Sequence, residues 1–323
     1  MSEAPPIVAT MIGDPCGIGP EIVVKALAEG CGDVRHLLIG DASVVGAAVE
    51  LARAKFAVRP IRALAEARFE PGCLEVLDPG TLGPRDVTVG RVSAVCGRAA
   101  AKWWDMATAL ARAGEVDAIV KAPVNSEAMR EAGVAAQSGV QPGRTFLFLI
   151  TGPLRVVHLT DHIPLREVFG HVRKDAILDL IRLIDRSLRQ WGVAAPRIGV
   201  AGLNPHAYGD EERLEIGPAV EAARGEGMDA QGPVPPDSLF RLCAEGAHDC
   251  VIAHYHDQGH IAVKTWRFEG NCAVMLGEPF LRLSVAHGTA FDIAGQGRAD
   301  HRSMDSALRT AAAFARGEGF PAA

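Results

Sequence analysis

Short, almost uninterrupted apolar runs alternate with longer segments of helical period along this chain, and few folds accept that pattern. The runs IVATMI (7–12), HLLIG (36–40), DAIVKAP (117–123), FLFLI (146–150), RVVHLT (155–160), RIGVAGLN (197–204) and DCVIAHY (249–255) are predicted strands. Their continuous hydrophobicity, in place of strict alternation, suits strands covered on both faces. Helices are predicted at about 20–29, 41–54, 90–114, 173–191 and 211–225. In the third, Val92, Val95, Ala99, Trp103, Met106 and Leu110 recur three or four residues apart and are expected to form its apolar face. The expected class is α/β, with mostly parallel sheets between layers of helices. QGPVPPDS (231–238), the most punctuated stretch, is expected to be a surface loop.

A length of 323 residues suffices for roughly two domains. No linker or repeat divides the chain, so the domains should be closely joined. The formal net charge is −6 and there is no basic tract, which argues against a nucleic-acid partner. Seven scattered cysteines, none in a C-x-x-C pair, point to reduced thiols and a cytoplasmic setting. The opening residues lack the charged region of a signal peptide, and no apolar run is long enough to span a membrane.

Function is most visible in the histidines. Three of the eleven sit in a polar turn just after an apolar strand: His162 in VVHLTDHIPL, His206 in GVAGLNPHAYG and His256 in VIAHYHDQGH. Ligands of open α/β sheets bind outside the carboxyl ends of strands, so these three could converge on a divalent ion. Each could equally do no more than hydrogen-bond a loop carbonyl. Their separations of 44 and 50 residues exclude a zinc-finger module, so such a site would be assembled by the fold. His254 and His260 flank His256 in the same segment.

Three further stretches carry chemistry. GDPCGIGPEIV (13–23) reads as strand, glycine turn and a helix opening near Pro20, without the Rossmann glycine fingerprint. SVAHGTAFDIAGQGRAD (284–300) is glycine-rich, with His287 and Asp292 five apart; an aspartate there could accept hydrogen bonds from the ribose of a dinucleotide. Lys264 in IAVKTW and Arg282 in GEPFLRLSV are cations in apolar surroundings, where an anionic ligand or escape to solvent would relieve the cost of burial.

Taken together, GDPCGIGPE, TDHIPL, NPHA, YHDQG and SVAHGTAFDIAG resemble the motifs of the 4-hydroxythreonine-4-phosphate dehydrogenase (PdxA) family, in order from about residue 7 to 317. The resemblance implies an isopropylmalate-dehydrogenase-like α/β fold, two α/β/α domains flanking a cleft. Residues 1–125 with 268–323 would bind NAD, and 126–267 would carry the metal, the substrate and the dimer contact. It implies a homodimer with a shared active site, in which His162, His206 and His256 hold a divalent ion, zinc foremost, with cobalt or magnesium as alternatives, and one ligand comes from the partner subunit. Lys264 and Arg282 would bind substrate, and His287, Gly288 and Asp292 the NAD adenosine. The implied reaction is NAD-dependent oxidation, with decarboxylation, of a β-hydroxy acid such as 4-phosphooxy-L-threonine, a step of pyridoxine biosynthesis.

The chain departs from that pattern. AGVAAQSGVQPGRTFLFLI (132–150) lacks the family's G-H-T-E, Ser126 stands where a lysine is usual, and Ala273 replaces a substrate-binding asparagine, with Asn271 two places away. Similar losses occur in relatives that oxidise unphosphorylated aromatic dihydrodiol carboxylates, which makes that substrate class an alternative. Asp257 and Lys264 are candidate general bases. A metal hydrolase using the three histidines, and a metal- and NAD-binding protein without turnover, are the remaining alternatives.

Overall fold

IVATM forms the first strand, β1 (Ile7–Met11), and is buried at all five positions. The computed structural model describes residues 4–83, 85–134, 141 and 143–321. They fall into two compact units, one of residues 1–137 and 279–315, the other of 138–278 and 316–323.

In the first unit β1 is joined by β2 (Arg35–Ile39), β3 (Ala57–Ile61), β4 (Cys73–Leu77), β5 (Ala118–Lys121) and β12 (Leu281–Val285). All are parallel, in the order β3-β4-β2-β1-β5-β12. Its helices are α1 (Gly19–Glu29), α2 (Ala42–Leu51), α3 (Ala94–Arg112), α4 (Ser126–Glu131) and α10 (Arg302–Ala315). Every residue of β1 and β5 is buried, and α3 and α10 both pack on these two strands. The buried face of α3 differs from the expected one. Cys96, Ala99, Ala100, Trp103, Ala107 and Ala111 are buried, while Val95, Met106 and Leu110 stay partly exposed. That face sets one large side chain, Trp103, among cysteine and alanines, which fills the space under the helix without crowding it.

The second unit contains β6 (Phe146–Thr151), β7 (Leu154–His158), β8 (Arg197–Ala201), β9 (Asp229–Val234), β10 (Cys250–Ala253) and β11 (Cys272–Leu276). Between them lie α5 (Leu165–His171), α6 (Lys174–Gln190), α7 (Gly217–Gly225), α8 (Pro236–Ala244) and α9 (His256–Trp266). The strand order is β11-β6-β7-β10-β8-β9. From β7 to β9 the sheet is parallel, but β6 runs antiparallel to both neighbours. FLFLI and RVVHLT are thus the two arms of a hairpin whose turn is Gly152–Pro153, with Gly152 at φ 56. QGPVPPDS is not a surface loop. Its first half belongs to β9, paired with β8, and its second half opens α8, where proline suits the first turn.

None of the helices among the described residues is long and apolar enough to cross a membrane. None of the seven cysteines is in a disulfide. Residues 135–140, where the family's G-H-T-E would fall, lie outside the described residues.

His36 on β2 sets an acid limit on this fold. The residue is half-buried, but its Nδ1 is sealed from solvent with no hydrogen-bond partner, and burial pushes its pKa down to about 4. The unfolded chain takes up this proton near pH 6.5, the folded one only near 4. The stability tied to neutral His36 is therefore complete above 6.5 and lost as pH falls towards 4. Urea midpoints measured across that window should fall, and His36→Gln should remove on the order of 1 kcal/mol of the drop.

Candidate functional site

Parallel pairing of β7 with β10 sets Val156, Val157 and His158 beside Val251, Ile252 and Ala253. The segments leaving both strands at their carboxyl ends are tied together. Leu159 N donates to Ala253 O at 2.8 Å, and Thr160 Oγ1 donates to His254 O at 2.7 Å. Asp161 and His162 follow on one side, and His256 opens α9 on the other. The ligand atoms of Asp161, His162 and His256 all lie within 4.8 Å of one another. The rings of His162 and His256 are 5.2 Å apart.

This group has the chemistry of a cation site. Asp161 is buried, and neither carboxylate oxygen accepts a properly oriented hydrogen bond, although His162 Nδ1 lies 3.0 Å from Oδ2. A buried carboxylate left so is costly unless a cation completes it. His256 Nδ1 donates to Asp257 Oδ1 at 2.6 Å, which leaves the Nε2 lone pair for a ligand, the carboxylate–histidine arrangement common at metal sites. That same bond holds the Asp257 carboxyl below its ordinary range, so Asp257 is suited to orienting His256 and poorly suited to be a general base. Two imidazoles and one carboxylate fit a borderline divalent ion such as zinc or cobalt better than magnesium.

Behind the group stands a column of histidines. His260 stacks on His256 with ring centres 3.6 Å apart at 11°, and His158 lies 4.7 Å from His260. His158 Nδ1 donates to Leu147 O at 3.2 Å, while its Nε2 is buried without a partner. Burial pushes His158 down to about 3 and His260 to about 4, so both rings are neutral and can stand beside a cation. The column has room because residue 259 is glycine: a Cβ there would stand 2.3 Å from His158 Nε2 and 2.8 Å from Val156 Cγ1. Alanine would gain up to about 1 kcal/mol of helix propensity, but forcing atoms against a sealed ring costs about 1–3 kcal/mol. Gly259→Ala should therefore lower unfolding stability by about 1–2 kcal/mol, read by urea denaturation.

His206 is not part of this group in the single chain. It is exposed on a 3-10 turn, Pro205–Ala207, with φ 59. Buried Glu212 holds that turn, its Oε1 accepting from Leu203 N and Asn204 N, both at 2.7 Å. His254 is structural: its Nε2 donates to Ala201 O at 2.6 Å, fastening β10 to β8. Lys264 lies exposed on α9. Neither Asp161 nor His158 stood out in the sequence. HLTDH, with histidines four apart around an aspartate, is the signal that could have found them.

The first unit brings two other motifs together. Thr289 O accepts from Ile18 N at 3.0 Å, and Gly17 approaches so closely that a Cβ would sit 2.9 Å from Thr289 O. Glu21 on α1 accepts from Ala299 N at 2.9 Å and from Lys25 Nζ at 2.7 Å, and Lys25 donates on to Gly297 O and Ala299 O. GDPCGIGPE and the glycine loop are thus one construction. It borders a cavity of about 200 Å³ lined by Pro15, Gly17, Glu21, Val44, Leu51 and Gly295. On the loop, Asp292 and Gly288 are exposed, and His287 is half-buried with Nδ1 at 3.0 Å from Gly288 O. Arg282 is buried on β12, its guanidinium 4.5 Å from the centre of the Trp104 ring. Ala273 is buried in β11, and the Asn271 amide is used by Phe268 O at 2.9 Å.

A family profile described as "Pyridoxal phosphate biosynthetic protein PdxA" matches residues 33–311. The chain belongs to the PdxA family. A Novosphingobium aromaticivorans relative, named a candidate 4-hydroxythreonine-4-phosphate dehydrogenase, is 46% identical over 318 residues, 98% of this chain and 96% of its own. The D-threonate 4-phosphate dehydrogenase of Cupriavidus necator is 40% identical, covering 98% and 99%. Among solved structures, the 4-hydroxythreonine-4-phosphate dehydrogenase of Klebsiella pneumoniae superposes with a TM-score of 0.83 at 40% identity, covering 96% of this chain and 99% of that one. A terephthalate 1,2-cis-dihydrodiol dehydrogenase of Burkholderia xenovorans does so at 0.70 and 31%, covering 95% and 98%. The fold is accordingly the mixed α/β, isopropylmalate-dehydrogenase-like type expected from the motifs.

Proposed function

We propose that this PdxA-family chain is an NAD- and divalent-metal-dependent dehydrogenase that oxidises, with decarboxylation, a 4-phosphorylated four-carbon β-hydroxy acid. The observation that carries this reading is the Asp161–His162–His256 group, an under-satisfied donor set at the carboxyl ends of adjacent parallel strands. When bound there, a divalent ion would polarise a substrate hydroxyl and the ketone that replaces it. His162 and His256 would hold it, with Asp257 orienting His256. His206 completes the set in a homodimer where one ligand crosses from the partner subunit. Asp292, exposed on its glycine loop, would accept the ribose hydroxyls of NAD beside Gly288 and His287. Lys264 and Arg282 would bind the anionic groups of the substrate. Seven cysteines without a disulfide suit the reducing cytoplasm.

The relatives weigh the substrate. The two named for phosphorylated acids are 46% and 40% identical, whereas the dihydrodiol dehydrogenase structure is 31% identical and superposes less closely. The test is NADH formation by the metal-loaded protein on 4-phosphorylated four-carbon hydroxy acids and on aromatic dihydrodiol carboxylates. Turnover of the phosphorylated acids is expected. Turnover confined to the dihydrodiols would replace the substrate class, and no NADH from either would end the dehydrogenase reading.

A further inference from the structure

Lys121 is the last residue of β5, and its neighbours give it no counter-charge. The residue is 9% exposed. No carboxylate among the described residues lies within salt-bridge reach of its ammonium, and the one charged group that acts on it is Arg282. Register explains the proximity. Arg282 aligns with Ile119 on the neighbouring parallel strand, and Ile119 and Lys121 share a face of the sheet by strand alternation. Both cations lie over one indole: Lys121 Nζ is 5.3 Å and Arg282 Cζ 4.5 Å from the centre of the Trp104 ring on α3.

Stacking on an aromatic face recovers part of what a cation loses on leaving water. It does nothing against the repulsion of a second cation. Burial and Arg282 together bring Lys121 down to about 8, the mark of an ammonium in surroundings that disfavour its charge. A protein that needed only packing here would gain by an apolar side chain in its place.

We propose that Lys121, with Arg282 and Trp104, forms a subsite for a phosphate monoester, and that Lys121 sets the preference for a phosphorylated substrate in this chain. A buried ammonium with no carboxylate in reach, beside a second cation, suits a phosphate group carrying close to two negative charges better than a singly charged carboxylate. Lysine contributes a point charge of the kind that binds phosphate oxygens. The subsite answers the departures noted in the sequence. Where the family pattern has a lysine this chain has Ser126, and Lys121 lies five residues before it on the strand that leads there.

This rests on the dehydrogenase reading for its substrate but not for its phosphate. The experiment is calorimetric titration of the purified protein with inorganic phosphate, for wild type, Lys121→Met and Lys121→Arg. Alongside it, KM is measured for a 4-phosphorylated hydroxy acid and for NAD. Phosphate binding should weaken at least about tenfold in Lys121→Met and recover in part in Lys121→Arg. KM for the phosphorylated acid should rise by a similar factor while KM for NAD stays within about twofold. Without phosphate, Lys121→Met should melt no lower than wild type. Unchanged phosphate affinity would overturn the subsite, as would a rise confined to the KM for NAD, which would give the cation to the cofactor diphosphate. A clear loss of melting temperature would make Lys121 structural. If wild type binds phosphate through Lys121 yet oxidises no phosphorylated acid, the subsite stands and the dehydrogenase reading falls.

Discussion

Alanine in place of His256 should empty the proposed metal centre and cut NADH formation on the order of a thousandfold, the equivalent of roughly 4 kcal/mol of lost transition-state stabilisation. The size follows from position. His256 is the member of the Asp161–His162–His256 group already oriented by a carboxylate, through its 2.6 Å bond to Asp257. It also stacks on His260 and lies 5.2 Å from the ring of His162, so its loss disturbs the whole group. Asp257→Asn keeps the ligand and loosens its orientation, and should weaken metal affinity by only about 10–100-fold. Bound metal and NADH formation should fall together in both variants, and a chelator should reproduce the His256→Ala result in wild type. A His256→Ala protein that keeps its metal and its rate would remove the centre from the mechanism.

Glu21→Ala should cost about 3 kcal/mol of stability, at the lower end of what breaking a buried ion pair entails. Glu21 is 2% exposed and bonds both Ala299 N and Lys25 Nζ, so its loss orphans a buried amide and leaves a mostly desolvated ammonium without its counter-charge. Lys25 keeps its bonds to Gly297 O and Ala299 O and is 19% exposed, which holds the cost to the low end. Urea unfolding gives the number. Glu21→Gln/Lys25→Met should recover part of the loss, because the lone charge is gone. The same clamp closes the glycine loop of Asp292, so KM for NAD should rise in Glu21→Ala. A stability change under about 0.5 kcal/mol, the usual range for surface positions, would mean that the clamp carries no weight.

Much of the site was legible because its chemistry is written in local runs. An apolar run ending in a histidine marks the carboxyl end of a strand, and the structure ends β7 and β10 just before His162 and His256. Other parts were hidden by the same localness. FLFLI and RVVHLT are equally apolar whether parallel or antiparallel; only the turn at Gly152–Pro153 distinguishes them. QGPVPPDS looked like a loop because three prolines outweighed a strand pairing that only β8 could supply. Lys264 and Arg282 looked alike in sequence, yet one is exposed on a helix and the other buried on a strand.

The sequence by itself determined the α/β class, the family and which strand ends carry histidines, since these depend on residue order and spacing along single elements. Only the tertiary structure decided that Asp161 and not His206 stands with His162 and His256 in one chain, and that His158 backs them. It alone set Lys121 and Arg282 over one tryptophan. Those are contacts between different strands, loops and helices, chosen by pairing register and by where glycine left room.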